Sequence, residues 1–285
     1  MTTNLLATMS EWTWHFLRDA SFRPREETIT ESLLIYLERH GRRRVWVYKA
    51  TTGVEARAGL DWAWALRTGA GWVNMIVQAK QADGKRFAKY PELRKRDAAD
   101  QVGDLLHTAA MASALPVYAF YQGEIAPFGK AGESTSFGAC LRHWLKRGAG
   151  LPWKNDASAM GISVAHAEDV RDFIVQPPAP NQQADTVNLY AMPLECLLCP
   201  NLRKRSSGGT GKAPRIQSAA ARIALGSAAG RDESIRPNAD SPIWIRPEQP
   251  EWVGYLMEGL DPRAYWDDNA PDVSYYLAMD LVEEH

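Results

Sequence analysis

The chain has 285 residues, 45% of them apolar and 24% charged, and its 33 basic and 34 acidic side chains leave a net charge of -1. That balance excludes wholesale disorder and a global basic footprint, so any nucleic-acid surface has to be a local patch. Three cysteines point to a reducing compartment; with no apolar run of membrane-spanning length and no signal-like pattern in MTTNLLATMSEWTWHF, a cytoplasmic protein is expected.

In chain order, Ser10 to Asp19 places Trp12, Phe16 and Leu17 on one helical stripe, with Ser10 available as the N-cap. PREETITESLLIYLERHG predicts a second helix, led in by Pro24, favoured by early glutamates and stopped at Gly41. At 100° per residue, Ile29, Leu33, Tyr36 and Leu37 share one face and Glu26 falls near its middle, while Glu27 and Glu31 fall towards the other side. Val45–Lys49 reads as a short strand after the run Arg42, Arg43, Arg44.

GLDWAWALRTGAGWVNMIVQAKQ predicts a hairpin: Leu60, Trp62, Trp64 and Leu66 alternate with smaller or polar residues, Thr68-Gly69-Ala70-Gly71 turns, and Trp72 to Val77 is nearly all apolar. Asp61 opens the first strand; Gln78 and Lys80 close the second. In an antiparallel pair those ends are neighbours, so an acid, an amide and an ammonium meet at one end of an apolar ribbon. Such groups cost stability unless they pair or bind something.

The loop QADGKRFAKYPELRKR displays Lys85, Arg86, Lys89, Arg94, Lys95 and Arg96. Asp97 to Leu115 predicts a helix with Val102, Leu105, Leu106, Ala109 and Ala112 inward, and Pro116 to Tyr121 a buried strand. Further on, Phe137 to Arg147 reads as helix, Gly161 to Ala165 as strand, and Glu168 to Phe173, Val187 to Leu198, Gln217 to Ser227 and Pro250 to Met257 as helices. Val273 to Leu281 reads as a closing strand. No internal repeat is visible. The expected organisation is an N-terminal helix at 1–21, a core at 22–122, and a mostly helical extension at 123–285 with a mobile basic segment near 203–216.

A phosphodiester hydrolase can hold Mg²⁺ with two or three oxygen ligands and use a nearby lysine on the attacking water. Asp61, Gln78 and Lys80 supply those types. Helix, three strands, helix, strand, with Asp on the second strand and Gln-x-Lys on the third, resembles the core of the PD-(D/E)xK nuclease superfamily. The resemblance covers roughly residues 22–122 and implies an α/β fold: a restriction-endonuclease-like mixed sheet (αβββαβ core) flanked by helices, with added C-terminal helical elements. Gln78 stands where an acid is usual, a variant similar to Mrr-like nucleases; an amide oxygen still ligates a hard cation but gives up one charge.

The resemblance further implies a Mg²⁺- or Mn²⁺-dependent endonuclease acting on DNA, with RNA as the lesser alternative, and a role in defence against foreign DNA. Glu26, Asp61 and Gln78 would hold the metal and Lys80 would orient the water. Gln101, Lys85, Arg86, Arg203, Lys204 and Arg205 are candidate nucleic-acid contacts, and a homo-oligomer is compatible with this reading. The rival class is a nucleic-acid-binding or sensing module of the same fold without catalysis. A plain structural reading also stands: Asp61 pairs within the hairpin, Lys80 ends a strand in solvent, and Glu26 begins a frayed helix.

Other motifs carry less. SSGGTGKAP lacks the leading glycine of a phosphate loop and has Ala213 where Ser or Thr is needed, so a Walker site is rejected. Cys140, His143, Cys196 and Cys199 have zinc-like spacings, but their apolar helical surroundings favour buried thiols. No histidine is spaced with a nucleophile as in a Ser-His or Cys-His hydrolase.

Overall fold

A computed structural model describes residues 5–41, 43–50, 60–68, 71–82, 98–122, 161–175, 191–194, 245–266 and 270–282, with Leu93 and Leu197. The chain forms α1 (Leu5–Asp19), α2 (Glu26–His40), β1 (Val45–Lys49), β2 (Leu60–Thr68), β3 (Gly71–Gln81), α3 (Ala98–Met111) and β4 (Leu115–Tyr121). These are followed by β5 (Ile162–His166), α4 (Ala167–Val175), β6 (Met192–Pro193), β7 (Ile245–Arg246), α5 (Glu251–Met257), a 3₁₀ turn (Pro262–Tyr265) and β8 (Val273–Asp280). The described residues thus form a mixed α/β fold built on an eight-stranded sheet.

The strand order is β1-β8-β2-β3-β4-β5-β6, with β7 paired to the start of β3. The β2–β3 hairpin is antiparallel and β3–β4 is parallel, as a crossover through α3 requires. β8 runs parallel to β2 and antiparallel to β1, standing between them. The C-terminal strand is therefore not a peripheral closing element. Its alternate residues enter both cores, Tyr275, Leu277 and Met279 on one face and Tyr276 and Ala278 on the other. Burial on both faces is the expected position for so apolar a strand.

Period-two alternation distributes the sheet between two helical layers. Trp62, Trp64 and Leu66 pack with Met75 and Val77 against Leu6 and Met9 of α1 and Ile29, Leu33 and Leu37 of α2. Ala63, Ala65, Ile76 and Tyr118 pack against Val102 and Leu105 of α3, Val170 of α4 and Val253 of α5. Leu60, expected beside the tryptophans, belongs to this second layer, because it lies beyond the last β2–β3 pair, Trp62 with Val77.

One helix start differs from expectation. α1 begins at Leu5, so Ser10 is interior rather than a cap; its buried Oγ accepts the Ile162 N–H at 2.9 Å and pins α1 to β5. A Cβ on Gly161 would overlap the Ser10 carbonyl and lie 2.6 Å from its carbon, so backbone meets backbone there. α2 ends as expected, with the Gly41 N–H donating to the Leu37 carbonyl at 2.7 Å. Within the stretch read as helix from Val187 to Leu198, Met192–Pro193 is a short strand on β5. The predicted helices at 137–147 and 217–227 lie outside the described residues.

Candidate functional site

Beyond the Trp62–Val77 pair, β2 and β3 part, and two backbone N–H groups at the end of β3 lack their ladder partners. Both are taken by acids. The Ala79 N–H donates to Asp61 Oδ2 at 2.6 Å, and the Gln81 N–H donates to Glu26 Oε1 at 2.6 Å. Residues 79 and 81 present their N–H groups to the same strand edge, about 7 Å apart, so the two carboxylates line up along it. Here Asp61 comes from the start of β2 and Glu26 from the first turn of α2.

The helix is held in the phase that aims Glu26. Thr30, one turn on and on the same face, shares a 2.8 Å hydrogen bond with the Tyr121 hydroxyl of β4. Burial pushes the Tyr121 phenol well above its ordinary pKa, so it serves as a neutral partner. Glu27 is exposed, and Glu31 pairs with Lys49 at 2.6 Å. Helical phase thus singled out the acid that reaches the sheet.

Gln78 and Lys80 are adjacent positions on one face of β3, and both are buried, 3% and 6% exposed. The Gln78 Nε2 donates to Asp61 Oδ2 at 2.8 Å, while its Oε1 is buried without a hydrogen-bond partner among the described residues. The Lys80 ammonium lies 3.9 Å from Glu26 Oε2. Lys80 is therefore not a solvated strand end, and Glu26 is not a frayed helix start. Asp61 does pair within the hairpin, as the structural reading held. All four predicted residues converge at one end of the β2–β3 hairpin.

Burial is the main cause that raises the Asp61 carboxyl from 3.8 to about 7; the Ala79 N–H and Lys80 oppose it, and Glu26 and Glu27 reinforce it. A carboxyl balanced near neutrality is poised to exchange its proton for another cation.

Among the described residues, no three His, Cys, Asp or Glu side chains gather as a metal site. A cation here would need the Gln78 oxygen as a third ligand beside Asp61 and Glu26. Those three are hard oxygen donors, and the buried Gln78 carbonyl is the one lacking a partner among the described residues, so the set fits Mg²⁺ or Mn²⁺.

Sequence reasoning missed Tyr118, which sits beside Gln78 in the β3–β4 register and feels the Asp61 charge. Only the parallel register reveals it. It also missed Thr30 and Tyr121 as supports of Glu26; the signal available was a threonine four residues after the inward acid. Gln101 lies in the first turn of α3 and is half-buried. Lys85, Arg86, Arg203, Lys204 and Arg205, and the cysteine and histidine group at Cys140, His143, Cys196 and Cys199, lie outside the described residues. No helix among the described residues is long and apolar enough to cross a membrane.

No curated protein and no solved structure matches the chain. Residues 2–284 match a family described as a family of unknown function (DUF6615), and with nearly its whole length covered the chain belongs to that family.

Proposed function

We propose that this protein is a Mg²⁺- or Mn²⁺-dependent nuclease of the restriction-endonuclease-like class, hydrolysing phosphodiester bonds in DNA. The observation that carries the reading is the convergence of Glu26, Asp61, Gln78 and Lys80 at one strand end, with an unpaired Gln78 oxygen among them. The order α2-β1-β2-β3-α3-β4, with β3 and β4 parallel, supports the fold assignment; β8 standing between β1 and β2 is a departure from consecutive pairing. The family match carries no activity with it, so the reading rests on the site and the sequence resemblance.

In this mechanism Glu26, Asp61 and Gln78 would hold the metal, which when bound would supply Lewis-acid polarisation of the scissile phosphate. The Ala79 and Gln81 N–H groups fix one oxygen of each acid, limiting how far either carboxylate can wander. Lys80, held beside Glu26, orients the attacking water and offsets negative charge developing on the phosphate. Burial of its stem fixes the ammonium in place before substrate arrives.

A second reading is a nucleic-acid-binding module without catalysis, favoured by one observation: both acids already satisfy backbone N–H groups and Gln78 adds no charge. Plasmid nicking in Mg²⁺ or Mn²⁺ decides between them. Nicking that disappears with chelator and in Lys80→Met supports the enzyme; DNA retention with no metal-dependent nicking at any protein concentration supports the binder.

A further inference from the structure

The Gln78 amide is placed in an unequal way. Its nitrogen donates to Asp61 Oδ2 at 2.8 Å and comes within 3.4 Å of the Ala79 carbonyl, while its oxygen is buried with no partner among the described residues. The reason is local charge. Two acceptors, the amide oxygen and the carboxylate, would repel if the oxygen faced Asp61, so the nitrogen turns inward and the oxygen is left over. A divalent cation beside Asp61 reverses that preference, because it repels the N–H₂ end and attracts the carbonyl.

We propose that Gln78 is a two-position element of the site: its amide latches Asp61 in the metal-free protein, and cation binding turns the amide so that Oε1 becomes a ligand. This rests on the cation-binding reading above. The movement is small. Asp61 Oδ2 keeps the Ala79 N–H throughout, so the carboxylate stays anchored while the amide turns. The terminal torsion of a glutamine is broad and nearly two-fold, so the turn meets no steep rotamer barrier. The glutamine thereby does what an ionised glutamate at that position cannot: it supplies a donor that occupies the site, at any pH, when no cation is present. The latch makes uptake a competition between Mg²⁺ and the protein's own N–H.

The test uses the full ¹⁵N-labelled chain titrated with MgCl₂, following the Gln78 side-chain amide by NMR and uptake by calorimetry. Gln78→Met, similar in volume and apolar, assigns the amide signal by its loss. The expected result is that Mg²⁺ moves the Gln78 N–H₂ signals and speeds their hydrogen exchange at least tenfold, since they lose their carboxylate acceptor. Gln78→Met then weakens Mg²⁺ uptake at least tenfold, and Gln78→Glu, with oxygen at both positions, binds at least as tightly as the native chain. Uptake with the Gln78 amide unmoved overturns the latch and leaves the cation site standing. Unchanged or tighter binding by Gln78→Met also overturns it, reducing Gln78 to a blocker. No uptake by the native chain overturns both the latch and the metal site.

Discussion

Asp61→Asn is expected to flatten the pH dependence of stability in the metal-free protein. In the folded chain burial raises the Asp61 carboxyl from 3.8 to about 7. Between those values the folded protein keeps a proton that the unfolded chain has lost, so the contribution of Asp61 is fully present below the unfolded pKa and drains away as pH rises through the folded one. A shift of about three units at about 1.4 kcal/mol each sets a ceiling of about 4 kcal/mol. Asp61 is partly exposed, and screening by that solvent lowers the working expectation to about 2 kcal/mol. Asparagine keeps an oxygen for the Ala79 N–H and removes the titration. In urea unfolding followed by tryptophan fluorescence with EDTA present, native stability should fall by about 1 kcal/mol from pH 5 to pH 8 relative to Asp61→Asn, the rest of the loss falling between the unfolded pKa and pH 5. At pH 8 the variant should equal or exceed the native chain. Parallel pH profiles for the two proteins would refute the assignment of a strained, near-neutral carboxyl to this position.

Three further outcomes are expected. Lys80→Met should reduce metal-dependent plasmid nicking at least 100-fold while leaving the melting temperature within about 3 °C; methionine is the better probe than alanine because Lys80 is buried and truncation would open a cavity. Gln78→Glu should remain folded but lose stability above neutral pH in EDTA, because two facing carboxylates cannot both ionise cheaply, and Mg²⁺ should restore it; a variant insensitive to both pH and Mg²⁺ would argue against a shared site. Gly161→Ala should cost about 3 kcal/mol or more by chemical denaturation, since its Cβ overlaps the Ser10 carbonyl and neither backbone can withdraw cheaply; a loss under about 1 kcal/mol would show that α1 is not packed there.

Much of the hairpin and of the helix before it was legible because their periods differ and their ends are punctuated. Trp62 and Trp64 at spacing two, and Ile29, Leu33 and Leu37 at helical spacing, each name a buried face, and the structure buries them together. The same phase placed Glu26 where it reaches β3. What periodicity does not encode is strand adjacency. Nothing in Val273–Asp280 says that it lies between β1 and β2, because an apolar strand reads alike at any central position. Ser10 shows a different failure: a serine near a helix start satisfies the cap pattern, yet here its hydroxyl is spent on Ile162, a partner 152 residues away.

The two acids and the glutamine do not make the same argument for function. Asp61 and Glu26 each satisfy a backbone N–H that β2 leaves open, so strand capping alone accounts for an acid at those positions. Lys80 next to Glu26 is accounted for by charge pairing. Gln78 is different. Its nitrogen adds a second donor to an Asp61 oxygen that the Ala79 N–H already engages, and its buried oxygen finds no partner among the described residues, a cost of about 1–3 kcal/mol. An apolar side chain of that size would avoid the cost, as the neighbouring Ile76 does on the same face of β3. The Nε2–Asp61 hydrogen bond offsets part of that cost, and a ligand that uses the carbonyl would remove it. The residue that departs from the nuclease motif is therefore the one on which the case for a bound cation depends.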